Sequence, residues 1–482
     1  MDLRNKYIIT VGIECHVQLA TRSKLFSGAD NDARDKAPNT VVSPIDYGLP
    51  GMLPVLNKDA IYLAVKAGYA LGATISKMSR FDRKHYFYPD LPKGYQISQM
   101  YQPIIGNGKV AVPQSDGTEK TVRIHHAHLE EDAGKLTHHS SFSAIDLNRA
   151  GTPLIEIVSE PDMHSPEEAK AYAQELYRLM TYAGVTLGDL YHGNMRFDVN
   201  ISIAPNGSSE FGKRAEIKNI NSFRSVERAV EYEFNRQAEL LEKGENVVQE
   251  TRGWDENSQK TFSQRSKEEA QDYRYMPDPD IPPIILSEDQ INEIIKSVPK
   301  LPNEYRLSWK EIGFDSTVLN ALLSNQNIAK KLDSVKNESS KEVAKKVGIW
   351  LTMLLNDIDQ HDYNITDKLS EDNLIELANL VIENKLSATA AKEVFYIMID
   401  THEKPSIIAK DKGLFQVTDT ESIVTIVSQI INDSSNKNAI DDIKSGNLKA
   451  IGFLVGQVMK LSKGSANPSS AQKIIIEEID KL

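Results

Sequence analysis

Five stretches of this 482-residue chain alternate between apolar and polar side chains, and their polar positions are mostly acids, amides and a histidine. Residues 7–19 (YIITVGIECHVQL) put Glu14, His16 and Gln18 on one side of an extended strand and Ile13, Cys15, Val17 and Leu19 on the other. Residues 196–203 set Arg196, Asp198, Asn200 and Ser202 against Phe197, Val199, Ile201 and Ile203. Residues 214–220 offer Arg214, Glu216 and Lys218; residues 154–158 carry Glu156; residues 123–131 end in the adjacent pair Glu130 and Glu131. The side-chain period of a strand is two, so each segment buries one face and offers the other. Solvated strands alternate in the same way, but their outer faces favour Thr and Lys. Short acids, Asn and His are instead the ligand set of hard divalent cations. A shared functional surface is the expectation.

Residues 1–283 mix these strands with helical periodicity at residues 58–71, 166–182 and 225–243, which reads as α+β around a mainly antiparallel sheet. The stiff run 277–283 (PDPDIPP) cannot continue a helix and is the expected boundary. After it, Ser287 to Gln290 forms a capping box and Ser370 caps another helix. Residues 284–405 are therefore expected to be an all-α domain and residues 406–482 a small all-α tail, three domains in a chain too long for one core.

The formal charge is −12, from 68 acids against 56 bases, so nucleic-acid contact has to rest on local basic patches. A single cysteine, Cys15, excludes an internal disulfide framework and suits a reducing compartment. No apolar run approaches the ~20 residues that span a bilayer, and the N-terminus has no signal character. A cytoplasmic location is expected.

Residues 81–103 (FDRKHYFYPDLPKGYQISQMYQP) interleave four tyrosines with Arg83, Lys84 and Lys93. That composition suits stacking on a base with phosphate contacts nearby, and equally a proline-stiffened loop whose tyrosines merely pack. Residues 128–135 (HLEEDAGK) form the densest acid cluster, and adjacent buried carboxylates require a metal or basic partners. No G-x-x-x-x-G-K-[ST] cradle, no G-x-G-x-x-G after a strand and no G-x-S-x-G elbow occurs. Cys15 belongs to the apolar face of its strand, a poor position for a nucleophile. Metal-assisted phosphoryl or acyl chemistry is what the acids support.

In their order along the chain, several blocks resemble the B subunit of the tRNA-dependent amidotransferases that make glutaminyl- and asparaginyl-tRNA from misacylated precursors. They are residues 12–19 (GIECHVQL), 48–57 (GLPGMLPVLN), 81–103, 128–135, 146–162 (DLNRAGTPLIEIVSEPD), 196–202 (RFDVNIS), 216–223 (EIKNINSF), 249–252 (QETR), 272–275 (DYRY), 454–460 (LVGQVMK) and 463–468 (KGSANP). The resemblance implies a cradle-shaped N-terminal domain, a helical domain and a tail that engages tRNA. It implies ATP-dependent phosphorylation of the side-chain carboxylate of Glu or Asp on its tRNA, then displacement of phosphate by ammonia. On that reading Mg²⁺ falls to Glu14, His16, Glu130, Glu131, Asp198 and Glu216, with Glu156 as a further ligand. Lys84, Lys93 and Arg196 are expected phosphate contacts, and Tyr88 and Tyr95 expected stacking platforms for a nucleotide ring. Glu14, His16, Glu131 and Lys84 are the expected catalytic set.

The absence of an amidase nucleophile then implies that ammonia comes from a separate amidase (glutaminase) chain, the A subunit, with a small C subunit completing a heterotrimer. One departure is visible: where many relatives carry four zinc-binding cysteines, this chain reads Ser27, Ala29, Ser43 and Asp46. No structural zinc is expected, and residues 38–40 have to be held by packing and turn hydrogen bonds. Two other readings stay open: a tRNA-binding adaptor without catalysis, and a carboxylate–amine ligase acting on a free small acid.

Overall fold

The computed structural model describes residues 3–266, 272–357, 368–416, 420–445, 447–462, 466 and 468–481. The chain divides into two compact units, Met1–Glu304 and Tyr305–Leu482.

The first unit is built on eight strands: β1 (Tyr7–Gln18), β2 (Gly108–Pro113), β3 (Glu119–Glu131), β4 (Pro153–Ser159), β5 (Met195–Pro205), β6 (Ala215–Ile220), β7 (Glu250–Asp255) and β8 (Lys260–Ser266). They lie side by side in the order β8-β7-β6-β5-β1-β4-β3-β2. Only β6 and β7 run parallel; the other neighbours are antiparallel. The five alternating segments occupy five consecutive places, β3-β4-β1-β5-β6, so their polar faces are continuous. With the helical C-terminal region, this is the expected α+β class.

The apolar face of the sheet is closed by helices. Val11, Ile13, Cys15 and Val17 of β1 are at most 1% exposed and share one core with Phe197, Val199, Ile155 and Ile157. Against them pack residues of α1 (Lys58–Ala70), α2 (Pro166–Tyr182) and α3 (Phe223–Glu242). Each helix starts where a side chain can accept an orphan backbone N–H. Asn57 accepts from Asp59, Ser165 from Glu168 with Pro166 in the first turn, and Ser222 from Ser225. Burying each large apolar side chain in this layer contributes roughly 1.5–3 kcal/mol. The helical layer thus leaves the opposite, polar face free for chemistry.

After the proline-rich run, Ile284, Leu286, Ile291 and Ile294 enter the same core, and α4 (Glu288–Lys296) opens on both bonds of its capping box. In the segment of residues 20–57, Asp46 accepts from buried Lys24 (3.2 Å), from the Ser27 hydroxyl (3.1 Å) and from the Ser43 backbone (2.9 Å). Asn39 is tied to the Asp146 carboxylate and to the backbone of Ile145 and Leu147, long-range bonds rather than turn bonds, while Thr40 Oγ1 donates locally to the Ala37 carbonyl at 2.6 Å.

The second unit is helical among its described residues. Its last part packs Ile423, Val427, Leu454, Val458 and Ile475 from the helices Thr420–Ile431, Ile451–Leu461 and Pro468–Ile479 into one core. Lys449 and Lys460 are exposed there, and Lys463 lies outside the described residues. Among the described residues no helix is long and apolar enough to cross a membrane.

Candidate active site

Register decides which side chains meet. Across the β1/β5 pair, Glu14 faces Asp198 and His16 faces Arg196; across β1/β4, His16 faces Glu156; across β3/β4, Glu156 faces His128. Between β5 and β6, Asn200 faces Glu216, and an irregularity lies between Phe197 and Val199. There Asn219 takes φ +60° and its N–H donates to Asp198 Oδ1 at 2.8 Å, which fixes the carboxylate toward the floor. The result is a pocket of about 610 Å³ over the polar face, lined among others by Glu14, His16, Lys84, Glu130, Glu156, Arg196, Asp198 and Glu216.

Two groups of ligand atoms form on this floor. In the first, His16, Glu130 and Glu156 each offer an atom within 4.8 Å of the others. His16 Nε2 is 3.3 Å from Glu156 Oε2 and 3.5 Å from Glu130 Oε1. His128 Nε2 approaches the same two carboxylates, at 3.6 Å from Glu156 and 3.8 Å from Glu130. Burial opposes a charged imidazole at His16, but Glu156 and Glu130 outweigh it and carry its pKa to about 9. Burial also opposes charge on Glu156, yet His128 and His16 hold its carboxyl well below the usual range.

The second group is Glu14, Asp198 and Glu216, again within 4.8 Å of one another. Asn200 donates to Glu14 at 2.9 Å, and Thr251 donates to Glu216 at 3.0 Å. Lys218 lies 3.0 Å from Asp198 and 2.7 Å from Glu216. Burial, followed by the charges of Glu156 and Glu216, raises the Glu14 pKa against the pull of Lys218. Oxygen-rich sets of this kind, with one imidazole in the first group, fit Mg²⁺ or Mn²⁺, whose ligands converge at about 2.1 Å. A cation would also relieve the crowding of carboxylates.

Two expected phosphate contacts stand at this pocket. No carboxylate among the described residues lies within ion-pair distance of Lys84; its amine sits 5.0 Å from the Tyr273 ring. Burial lowers its pKa, and the charges of Glu130, Tyr275 and Glu156 more than reverse that. Arg196 is paired with Asp132 at 2.8 Å.

The other four expected residues are placed elsewhere. Neighbours on a strand face opposite ways, so Glu130 reaches the pocket and Glu131 does not. Glu131 turns instead to Lys93, at 2.5 and 2.6 Å, and accepts the Ile97 N–H. Lys93 is thereby held by Glu131, away from any phosphate on the floor. Tyr95 lies under the Arg83 guanidinium, 4.4 Å from it, and Tyr88 is at the surface with its ring edge-on to Tyr86. None of the four lines the pocket. Glu131 as a metal ligand, Lys93 as a phosphate contact and the two tyrosines as stacking platforms therefore do not join the geometry.

His128 and Lys218 belong to the site, although the sequence reading assigns no role to either and places only Lys218 on an offered strand face. The signal exists for both. His128 stands two residues from Glu130 on the same strand, as His16 stands two from Glu14, and Lys218 stands two from Glu216. Asp132, Tyr86 and Tyr273 also line the pocket; each lies in a segment singled out in the sequence, but no strand alternation picks out the individual residue.

Similarity to known proteins extends over the whole of this architecture. Residues 9–292 match the family described as the GatB/GatE catalytic domain, and residues 330–479 match the GatB domain. The chain is 44% identical over 483 aligned residues to the B subunit of the aspartyl/glutamyl-tRNA(Asn/Gln) amidotransferase of Caldicellulosiruptor saccharolyticus, covering 99% of this chain and 100% of that protein. It is 43% identical to the protein of the same name from Thermotoga maritima and 42% identical to the one from Rickettsia felis, each over 98% of both chains.

Proposed function

Because the chain belongs to the family of aspartyl/glutamyl-tRNA(Asn/Gln) amidotransferase B subunits, we propose that its polar sheet face converts misacylated tRNA in two steps. ATP phosphorylates the side-chain carboxylate of Glu on tRNA(Gln), or of Asp on tRNA(Asn). Ammonia then attacks the acyl phosphate, phosphate leaves, and the amide remains. The observation that carries this reading is the pairing of two acid groups with Lys84 and Arg196 around one pocket. Phosphoryl transfer asks a protein mainly for positioned charge, and this pocket is made of little else.

His16, Glu130 and Glu156 are the residues that would hold one Mg²⁺, and Glu14, Asp198 and Glu216 a second. Bound there, Mg²⁺ would offset the repulsion between triphosphate and substrate carboxylate. Lys84 steadies the transferred phosphoryl group, because its charge is not spent on a protein carboxylate. Arg196 contributes more weakly while it is paired with Asp132. Half-buried His16 and buried Glu130 have little freedom to reorient, which keeps the ligand atoms in place during transfer.

Ammonia comes from a partner. The chain carries no nucleophile motif and its one cysteine is buried, so an amidase partner, the A subunit, and a small C subunit complete a heterotrimer around this chain. The tail holds tRNA through exposed residues such as Lys449 and Lys460, and affinity falls with salt as phosphate contacts require. Aminoacyl-tRNA as substrate argues for the cytoplasm.

The decisive assay feeds ammonium chloride, ATP and Glu-tRNA(Gln) or Asp-tRNA(Asn) to the assembled enzyme. ATP turnover that requires misacylated tRNA, with amide formed in equal amount, is expected. Turnover on free glutamate alone would restore the small-acid ligase, and tRNA binding without ATP turnover would restore the adaptor.

A further inference from the structure

The two acid groups differ in what neutralises them. Around Glu130 and Glu156 the nearby bases are imidazoles, His16 and His128, and an imidazole nitrogen can itself ligate a metal. Around Asp198 and Glu216 the base is the Lys218 ammonium, which has no lone pair to offer. Its Nζ bridges two of the three carboxylates, 3.0 Å from Asp198 and 2.7 Å from Glu216, so it already occupies oxygens that a shared cation would need. Asn200 donates to Glu14 and Thr251 to Glu216, so two of the three carboxylates have a hydrogen-bond donor besides Lys218.

We propose that Lys218 is the resident counter-ion of the Glu14–Asp198–Glu216 group, and that a divalent cation enters there only by displacing it. The proposal rests on the metal reading above and goes beyond it: the two sites load unequally, and one lysine sets the inequality. Lys218 has somewhere to go. Its side chain is 37% exposed and lines the open pocket, so the ammonium can leave the carboxylates for solvent or for a phosphate oxygen without unfolding β6. At the His16–Glu130–Glu156 group what has to leave is a proton rather than a side chain: His16 gives its proton to solvent, and the nitrogen freed, 3.3 Å from Glu156 and 3.5 Å from Glu130, is then itself a ligand. That site therefore loads first, and Lys218 acts as a positioning residue that delays the second ion.

The test counts Mn²⁺ bound to the full chain in its native complex, without nucleotide, by the electron paramagnetic resonance signal of the free ion. Wild type is expected to bind one Mn²⁺ per chain tightly and a second at least tenfold more weakly. Lys218→Met should tighten the second at least tenfold, and Lys218→Arg should leave it weak. Lys218→Gln repeats the measurement should the methionine variant melt early. His16→Ala should remove the tight ion in every background. If neither neutral variant changes the second affinity, Lys218 is not the competitor and the inference fails while the metal reading stands. If His16→Ala removes no Mn²⁺, the metal reading itself fails.

Discussion

The pocket floor and the tyrosine-rich segment beside it are both dense in charge, and they spend it in opposite ways. In residues 81–103 three of the ionised groups, Asp82, Arg83 and Lys93, are each held by close partners. Arg83 pairs with Asp278 at 2.8 Å and Asp280 at 2.6 Å, Asp82 accepts the backbone N–H groups of Met100 and Tyr101, and Lys93 is locked to Glu131. On the floor, Glu14, Glu130, Glu156, Asp198 and Glu216 crowd together with Lys218 and two imidazoles as their nearest bases. A satisfied network rigidifies a fold; an under-compensated one waits for a ligand. Lys84 is the member of the segment that belongs with the floor, because it turns away from the segment's acids toward the pocket.

The comparison can be broken by substitution. His16→Ala or Glu130→Gln in the assembled enzyme should lower ammonia-dependent transamidation by at least ~10³-fold, with tRNA affinity unchanged in a filter-binding assay. Full turnover in either variant would empty the floor of its role. In the segment the cost should fall on stability. Lys93→Met leaves Glu131 buried without its cation and should destabilise the chain toward the lower end of roughly 3–5 kcal/mol in urea unfolding. Lys93→Met with Glu131→Gln should recover much of that loss, and no recovery would mean that the pair is not what holds the segment.

Lys84→Met separates the two regions within one stretch of chain. A drop of roughly 10–10²-fold in kcat with an unchanged melting temperature assigns it to the floor; a melting shift without a rate change assigns it to the segment. The smallest effect is in pH. In the metal-free chain His16 has a folded pKa of about 9 against an ordinary 6.5, because Glu156 and Glu130 outweigh its burial. The stability it contributes is fully present below pH 6.5 and is lost as pH rises through about 9. With chelator present, His16→Gln should flatten the melting temperature across that window, and an unaltered slope would show that the imidazole is not paired as described.

Much of the floor is legible in the sequence because periodicity is geometry. Alternation at β1, β4 and β5 identifies the face on which Glu14, His16, Glu156 and Asp198 emerge, and closing a sheet with one buried face brings such faces together. The same rule applied strictly to β3 separates Glu130 from Glu131, which adjacency alone suggests treating as a pair, and it selects His128 instead. Composition carries less. Tyrosines interleaved with Arg and Lys describe a stacking platform and an ion-paired loop equally well, and only the positions of Asp278, Asp280 and Glu131, up to nearly two hundred residues away in sequence, decide between them. Pairing order across the sheet is likewise out of reach, since β6 comes to β5 through an irregularity at Asp198 that no local pattern announces.

The most direct test is anomalous diffraction from crystals soaked in Mn²⁺. A peak bonded to His16 Nε2 and to carboxylate oxygens of Glu130 and Glu156, at about 2.1 Å as for small octahedral cations, is the expected result. Peaks confined to other residues, with these three side chains left uncoordinated, would contradict the claim that the sheet's polar face is a metal-gathering catalytic floor.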